Sequence, residues 1–398
     1  MLDVQLLKSR ACSAIDDIAQ ELVDASHTIH ENPELNYEEF IASELLVRLA
    51  NKHGLTTDRD AYGCETGFVG DVGSGPTVCI MSEYDALPVI GHGCGHNIIG
   101  TAGLGAAIAL SVVANDAGGR LRFLGTPAEE GGGGKLVMAR NGALEGVDIA
   151  MMVHSADADL TTIDAIALQQ LLVEYGGEAA HAAAAPEKGK NALDAAVLGY
   201  MAVAALRQHI LPSERVHGIF VRGGSKPNIV PHDAATEWYV RSDTMSSLQD
   251  LKPRVLSALE AGAHACGCSV QHQWDPNPYA DMVTNSNMSA MYINNAATLG
   301  RTVVTPGSNG RRVVGSTDMG NISHLVPSIH PMISSAPAGT AIHTTAFEKA
   351  SRSTQADQAV IDGAKAMAMT AIDYWTSPEQ QSAISEEFAR TNPSRDVL

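Results

Sequence analysis

Three short apolar runs, each followed directly by polar residues, constrain the fold of this chain more than any other feature. The runs are Thr77–Met81, Leu121–Gly125 and Val147–Val153. The polar segments after them begin at Ser82, Thr126 and His154. Between the first two runs, residues Thr101–Asn115 have the small, apolar composition of a helix packed against a sheet. Strands that alternate with helices and end in polar clusters predict an open α/β sheet with its site at the strand ends.

A second pattern begins near Ile166. Its segments are expected in the order strand, helix, strand, strand, helix, strand, at Leu168–Tyr175, Asn191–His209, Gly218–Gly223, Thr236–Ser242, Ser247–Ala265 and Ser269–Trp274. This order is the ferredoxin-like βαββαβ pattern. Because 398 residues exceed the usual size of one core, we predict a catalytic domain in two parts, 1–165 and 279–398, interrupted by an inserted domain at 166–278.

Before the first strand, apolar positions recur at helical spacing from about Leu6 to Leu49. Asn32-Pro33 interrupts them, which predicts two helices joined by a turn.

Composition excludes several classes of protein. Hydrophobic residues make up 45% and charged residues 18%, which is typical of a globular chain. The formal net charge of −19 disfavours nucleic acid and anionic membranes as partners. Six cysteines without a disulfide spacing, no signal-peptide pattern and no apolar run of about 18 residues predict a soluble cytoplasmic protein.

The segment Gly91-His92-Gly93-Cys94-Gly95-His96 places three potential metal ligands in one glycine-rich loop. Taken alone it is equally compatible with a mobile turn. Further candidate ligands follow other strands, namely Glu129, Glu130, His154 and His343. A mixture of thiolate, imidazole and carboxylate favours zinc or a similar divalent transition metal over calcium and magnesium. More than four ligands indicate two ions, which together activate a water for attack on a carbonyl carbon.

Glu129 and Glu130 are adjacent, and successive side chains diverge along an extended strand. We therefore expect one glutamate to bind metal and the other to move a proton. An isolated pair of glutamates is usually a solvated surface feature. Its position after an apolar strand and before four glycines favours the functional interpretation.

Several motifs in register resemble those of a known family. They are His30-Glu31-Asn32-Pro33-Glu34-Leu35, Asp85-Ala86-Leu87-Pro88, Cys94-Gly95-His96, Pro127-Ala128-Glu129-Glu130-Gly131, His154, Ala180-His181-Ala182, Asn228-Ile229-Val230-Pro231 and His343. In this order they resemble the M20 metallopeptidases, in particular the amidohydrolase branch, subfamily D. Within that branch the chain looks most like the aminobenzoyl-glutamate hydrolases and β-alanyl-lysine dipeptidases.

The resemblance implies a role for each matching residue. Metal ligands are implied at Cys94, His96, Glu130, His154 and His343, with Glu129 as general base. The cofactor would be two divalent ions, zinc or manganese, with cobalt or nickel as further options. The inserted domain would serve as lid and dimerisation surface of a homodimer. His181 would then stabilise the oxyanion in a partner subunit, while Asn228 and Arg241 would bind a substrate carboxylate.

The chain also departs from the family pattern. Asn97 stands where many members of the branch have Asp, and Glu83 stands where peptidase-type members carry a metal-binding histidine. With Glu83 there, Cys94 and His96 are the better ligand candidates, and Asp85 is expected to support them from outside. We expect His92, Asp318 and His324 to be structural or to orient ligands.

The sequence thus predicts a metal-dependent amidohydrolase or dipeptidase that cleaves the amide bond of a small N-acyl or N-aminoacyl amino acid. One alternative is an aminohydrolase that displaces an amine from an activated aromatic compound. Another is a non-catalytic subunit of the same fold, which the complete set of candidate ligands disfavours.

Overall fold

The computed structural model describes residues 3–308, 313–391 and 397–398. They divide into two compact units. Unit 1 consists of the described residues of Met1–Asp164 and Met282–Asp396 and of Leu398, and unit 2 of Ala165–Asp281 and Val397. The insert predicted at 166–278 starts one residue after Ala165 and ends three before Asp281.

In the described residues the helices, numbered along the chain, are α1 (Val4–Asp17), α2 (Ala19–Glu31), α3 (Phe40–Lys52), α4 (His96–Ala117), α5 (Gly134–Arg140), α6 (Ala192–Leu206), α7 (Met245–Cys266), α8 (Ser286–Thr298), α9 (Met319–Leu325), α10 (Thr345–Ala350), α11 (Thr354–Thr376) and α12 (Pro378–Thr391). The strands are β1 (Asp58–Arg59), β2 (Phe68–Gly73), β3 (Thr77–Ser82), β4 (Arg120–Gly125), β5 (Ile149–Met151), β6 (His154–Ala156), β7 (Asp164–Ala165), β8 (Ala167–Gly176), β9 (Arg215–Gly223), β10 (Asp233–Ser242), β11 (Ser269–Trp274), β12 (Val314–Gly315), β13 (Ser328–Ile329) and β14 (Met332–Ser334).

Unit 1 is built on a six-stranded mixed sheet with the order β1-β2-β4-β3-β5-β13. Strands β4, β3, β5 and β13 run parallel, whereas β2 pairs antiparallel with both β4 and the edge strand β1. Val78 and Ile80 of β3 enter a large core that includes α1, α4 and α11. The alternate residues Cys79 and Met81 enter a smaller core with α5 and α9. Helices thus cover both faces, which confirms the predicted α/β class and explains the continuous apolar run of β3.

Helix α4 begins at His96 and lies in the centre of unit 1. It is long and apolar enough to cross a membrane by length and composition, but 89% of its most apolar window is buried inside the protein. It packs against α1, α2 and α11. Burial among helices of the same unit accounts for its composition.

Unit 2 has the element order β8, α6, β9, β10, α7, β11. These strands form an antiparallel sheet with the order β11-β8-β10-β9. Both helices pack on this sheet, and buried residues alternate with less buried ones along β8. The predicted ferredoxin-like pattern is therefore confirmed.

The N-terminal prediction of two helices is wrong, because three are present before β1. Helix α1 ends at Asp17, and Ile18 has φ −113° and ψ 10°, outside the helical region. Neither proline nor glycine marks this break, so apolar periodicity continues across it without a signal.

Candidate metal centre

The loops that follow the parallel strands bring all five predicted metal ligands together within unit 1. Cys94 precedes α4, and His96 is its first residue. Three groups of potential ligand atoms, each within 4.8 Å of one another, connect them: Cys94, His96 and His154; Cys94, Glu130 and His343; and His96, Glu129 and Glu130. Cys94 and His96 each belong to two groups, so the groups form one continuous centre.

The distances within this centre fit divalent ions. Cys94 Sγ lies 3.6 Å from His154 Nε2. A sulfur and a nitrogen bound to one tetrahedral zinc at ~2.3 Å and ~2.0–2.1 Å lie about 3.6 Å apart. Moreover, His96 Nε2 and Glu130 Oε1 are buried without a hydrogen-bond partner among the described residues. Buried polar atoms are normally paired, so two ligand atoms left open towards the same space fit a cation.

Asp85 holds two of the predicted ligands. Its Oδ1 lies 3.0 Å from His96 Nδ1, and its Oδ2 accepts a hydrogen bond of 2.9 Å from the backbone N–H of Glu130. A proton on Nδ1 leaves Nε2 of His96 with a lone pair for a metal. Asp85 is therefore placed to orient His96 and the Glu130 backbone from outside the predicted centre.

His154 is fixed in the same way by a backbone carbonyl. Its Nδ1 donates to the Ser155 carbonyl at 2.7 Å. Burial, and then the neighbouring His330, lower the pKa of His154 to about 3. The ring is thus neutral near pH 7, the state in which imidazole binds metals.

His343 completes the centre from the segment before α10. Its Nε2 lies 3.5 Å from Glu130 Oε1, and its backbone N–H donates to the Gly93 carbonyl at 2.8 Å. It has φ +61° and a half-exposed side chain. This side of the centre is therefore accessible to solvent.

The adjacent glutamates do not behave as the extended-strand argument predicted. Their carboxylates both lie within 4.8 Å of the ligand atom of His96. They converge because residues 129–132 form a turn rather than a strand, after Ala128 with φ +59°. The expectation that the two side chains diverge is therefore wrong. Any difference in role between Glu129 and Glu130 must come from their surroundings.

Those surroundings do differ. Glu130 groups with Cys94 and His343, whereas Glu129 groups with the acidic residues Glu83 and Asp318. Burial, followed by the charge of Glu83, raises the pKa of Glu129 well above its usual value. A carboxylate with a raised pKa is suited to accept a proton and give it up near neutral pH.

A glycine is required between the two central ligands. Gly95 has φ +75°, and a Cβ there would lie 2.2 Å from Ser155 Oγ. The Ser155 hydroxyl also donates to the Cys94 carbonyl. Glycine thus lets this loop turn directly into α4.

The unassigned motif residues have structural partners. His92 Nε2 donates to the Ile29 carbonyl at 3.1 Å, and Asn97 donates to Ser26 Oγ and to the Ser351 carbonyl at 2.9 Å each. Neither residue belongs to a ligand group among the described residues. Asn97 ties α4 to its neighbours instead of supporting a ligand with charge.

Sequence reasoning missed Lys135 and Glu39. Lys135 Nζ donates to Glu83 and Asp318, and all three side chains are fully buried. Burial of Glu83 opposes its negative charge, but the neighbouring Lys135 ammonium lowers the pKa of Glu83 to about 2. A lysine at a helix start is usually solvent-exposed, so only the two acidic motif residues hinted at this cluster.

Glu39 supports the glutamate turn from the segment before α3. Its Oε1 accepts from the backbone N–H of Ala128 at 2.8 Å, and Thr66 donates to its Oε2 at 2.7 Å. Glu39 is fully buried, and burial raises its pKa to about 7. Glu39 thus fixes Ala128, and the left-handed backbone conformation of Ala128 positions Glu129.

The structure brings together two of the three candidates in unit 2. His181 is exposed and forms an antiparallel bridge with Ile229, next to the exposed Asn228. Its Nδ1 accepts from the backbone N–H groups of Ala183 and Ala184 at 3.3 and 3.2 Å. Arg241 instead lies near the C-terminal end of β10, with its guanidinium 5.7 Å from the Tyr239 ring centroid. Asn228 lies before the start of this strand at Asp233, and eight residues at ~3.3 Å each separate Asp233 from Arg241.

Comparison with known proteins extends this description. The model of peptidase family M20/M25/M40 matches residues 79–373. Xaa-Arg dipeptidase of Mus musculus is 36% identical over 403 positions, covering 97% of this chain and 93% of the relative. A p-aminobenzoyl-glutamate hydrolase polypeptide of Escherichia coli is 33% identical and covers 70% of this chain and 63% of its own length.

Solved structures share the fold. The aminobenzoyl-glutamate utilization protein of Klebsiella pneumoniae superposes with a TM-score of 0.71 at 18% identity, covering 91% of this chain and 98% of the other. A dinuclear metal-binding M20 peptidase of Bacillus subtilis superposes with a TM-score of 0.68 at 18% identity, covering 90% and 98%.

Proposed function

This chain belongs to peptidase family M20/M25/M40 and is a metallohydrolase of amide bonds, and from that premise we propose that it cleaves a dipeptide or an N-acyl amino acid. The observation that carries the proposal is the convergence of the five predicted ligands with Glu129 in unit 1. The two relatives, a dipeptidase and an aminobenzoyl-glutamate hydrolase, support a substrate with a free amino-acid carboxylate.

The proposed cofactor is a pair of divalent cations, zinc or manganese, held by Cys94, His96, Glu130, His154 and His343. Bound there, such ions supply Lewis-acid activation of water and of the scissile carbonyl. The donor set excludes neither cobalt nor nickel. The thiols of all six cysteines are free, which supports our proposal of a reducing, cytoplasmic location.

The proton transfers are proposed for Glu129. It takes a proton from the attacking water and returns it to the departing amine nitrogen, so that it ends the cycle as it began. Its burial and its acidic neighbours raise the pKa of Glu129 well above the usual value, which makes it a stronger proton acceptor than a solvated glutamate. Glu130, which faces Cys94 and His343, instead serves as a ligand.

We propose that Arg241 recognises the substrate carboxylate, that Asn228, which lies apart from it, contacts the substrate beside His181, and that His181 donates to the oxyanion in a partner subunit. A guanidinium can bind a carboxylate with two parallel hydrogen bonds. The exposed position of His181 on unit 2 is compatible with a role outside its own unit. In the described residues its ring nitrogen has only backbone partners two and three positions ahead.

The surface of unit 2 supports the proposed homodimer. Strand β9 is an edge of the described sheet, and Ile219, Phe220 and Val221 expose apolar side chains along it, Ile219 at 62%. The opposite edge, β11, carries polar residues such as Gln271. An exposed apolar edge strand is a pairing surface, so β9 is the better candidate for the dimer contact.

Light scattering during size exclusion tests this contact. Replacing Ile219 and Phe220 by Glu and Lys should convert the dimer to a monomer, whereas Gln271→Lys on the polar edge should leave the dimer intact. A monomeric unsubstituted protein would refute the proposed assembly, and so would a dimer that persists with both changes on β9.

The reaction is tested by product analysis with metal-reconstituted protein and a panel of dipeptides, N-acyl amino acids and aromatic amides. Release of a free amino acid from one class supports the proposal. Release of ammonia from an aromatic amine instead would identify an aminohydrolase. No turnover of any class by protein that holds two metal ions would contradict the proposed function.

A further inference from the structure

Lys135, Glu83 and Asp318 form a fully buried charged cluster beside the proposed ligands. Lys135 Nζ donates to Glu83 Oε2 at 2.6 Å and to Asp318 Oδ1 at 2.7 Å, and the Lys135 backbone N–H donates to Asp318 Oδ2 at 3.0 Å. Each side chain has zero exposure. Buried charges are costly unless they are paired and hydrogen-bonded. These contacts therefore hold the Glu83 carboxylate in one orientation.

The ammonium group fills the space in which this cluster could bind a cation of its own. Oxygens of Glu83, Glu129 and Asp318 lie within 4.8 Å of one another. Lys135 Nζ, however, is already bonded to two of these three residues. Of the two carboxylate oxygens of Glu83, Oε2 accepts from this ammonium.

Glu83 Oε1 points into the metal centre. It lies 3.3 Å from His96 Nε2 and 3.9 Å from His154 Nε2. Among the described residues, neither Glu83 Oε1 nor His96 Nε2 has a hydrogen-bond partner, and both are buried. An oxygen and a nitrogen bound to one tetrahedral ion at ~2.0–2.2 Å lie about 3.4 Å apart. The observed separation of 3.3 Å fits two ligands of the same ion.

We propose that Glu83 is a sixth protein ligand of the metal centre and that Lys135 and Asp318 are positioning residues that hold its carboxylate towards His96 and His154. This inference depends on the proposed function, because it assumes that the centre binds two ions. An added carboxylate gives the His96 and His154 side of the centre a hard oxygen ligand and a further negative charge. Glu83 should therefore strengthen binding of manganese more than binding of zinc.

Metal titration with a competing chelator tests the inference. The unsubstituted protein should bind two ions. In Glu83→Gln, one of the two ions should bind more than about 10²-fold more weakly, a larger loss than the ~10–100-fold of an outer support. The visible absorption of the cobalt-loaded protein should also change. Lys135→Met should retain both ions but weaken one by about 10–100-fold.

Glu214→Gln is the matched control, because Glu214 is a buried glutamate of unit 2 whose carboxylate accepts from the Leu211 backbone N–H. It should leave both affinities and the cobalt spectrum unchanged. Circular dichroism checks that each variant is folded. If Glu83→Gln does not fold, Glu83→Gln with Lys135→Met removes both charges of the ion pair and allows the same measurement.

Diffraction from crystals of the unsubstituted, metal-loaded protein needs no variant. The inference requires an ion within about 2.2 Å of Glu83 Oε1, and an ion more than about 3 Å from this oxygen would overturn it. Wild-type affinity and an unchanged cobalt spectrum in folded Glu83→Gln would overturn it as well. In either case two bound ions leave the proposed function standing, whereas an unsubstituted protein that binds no divalent ion refutes the proposed function itself.

Discussion

The candidate functional residues of the two units differ in how far their own unit fixes them. In unit 1, His96 is fully buried, and Asp85, Glu83 and the proposed ligands of the same unit surround both ring nitrogens. In unit 2, His181 is exposed, and its ring accepts hydrogen bonds from the backbone of its own loop. The difference separates two tasks. Metal binding needs preorganised, dehydrated ligands, whereas contact with a substrate or a partner subunit needs an exposed side chain.

Removing a ligand from unit 1 should have the largest effect. His96→Ala should lower metal content below two ions per chain and reduce turnover on the order of 10³-fold, since metal activation supplies several kcal/mol at about 1.4 kcal/mol per decade. His264→Ala, at an exposed position of α7, is the control and should change neither. Elemental analysis and initial rates measure both quantities. Full metal content in His96→Ala would contradict the assignment of His96 as a metal ligand of unit 1.

Changing His181 should affect catalysis without affecting metal. His181→Ala should lower kcat by about 10²–10³-fold, the usual loss of one oxyanion donor, while both ions remain bound. Mixed dimers with Glu129→Gln sharpen the test. If His181 acts on the partner, each mixed dimer has one complete site, so activity returns. Mixed dimers that stay inactive would place His181 in its own subunit's site or outside the reaction.

Asp85→Asn should have an intermediate effect within unit 1. The amide no longer offers a charged acceptor to His96 Nδ1, although it keeps the shape of the side chain. Metal affinity should fall by about 10–100-fold, which is typical of residues that orient ligands. Chelator competition measures this loss. An unchanged affinity would show that the backbone alone fixes His96 and Glu130.

Counted per pH unit and per proton, the dependence of metal affinity on pH should be the smallest effect. Burial, followed by Asp85 and Glu83 against the opposing His96, raises the pKa of Glu130 to about 7, and burial raises the pKa of Cys94 well above its usual value. Although burial lowers it, the charges of Glu83 and then Asp85 raise the pKa of His96 well above its usual value as well. A metal ion must displace the protons of all three groups, so metal affinity should fall about tenfold per pH unit for each proton displaced, between about pH 8 and about pH 6. The pKa of His154 is lowered, so this ring has no proton to lose in that range. An affinity independent of pH would show that these groups are ionised before metal binds.

The sequence predicted most of the centre because several ligand motifs lie close to the end of an apolar run or to the start of a helix. Cys94, His96 and His154 are of this kind. The convergence of Glu129 and Glu130 was not predictable, since it depends on the positive φ of Ala128, a conformation that alanine seldom adopts. Lys135 was missed for a different reason. Its role depends on two partners that are 52 and 183 residues away in the chain, and one sequence contains no sign of that contact.

Turnover and metal content of Glu129→Gln test the central claim most directly. We propose that unit 1 holds a two-metal centre in which Glu129 transfers protons and does not bind metal. Glu129→Gln should bind two ions per chain, as the unsubstituted protein does, and its kcat should be reduced by about 10²–10⁴-fold. Two bound ions with undiminished kcat would contradict the assignment of the base, and loss of an ion would show that Glu129 is a ligand.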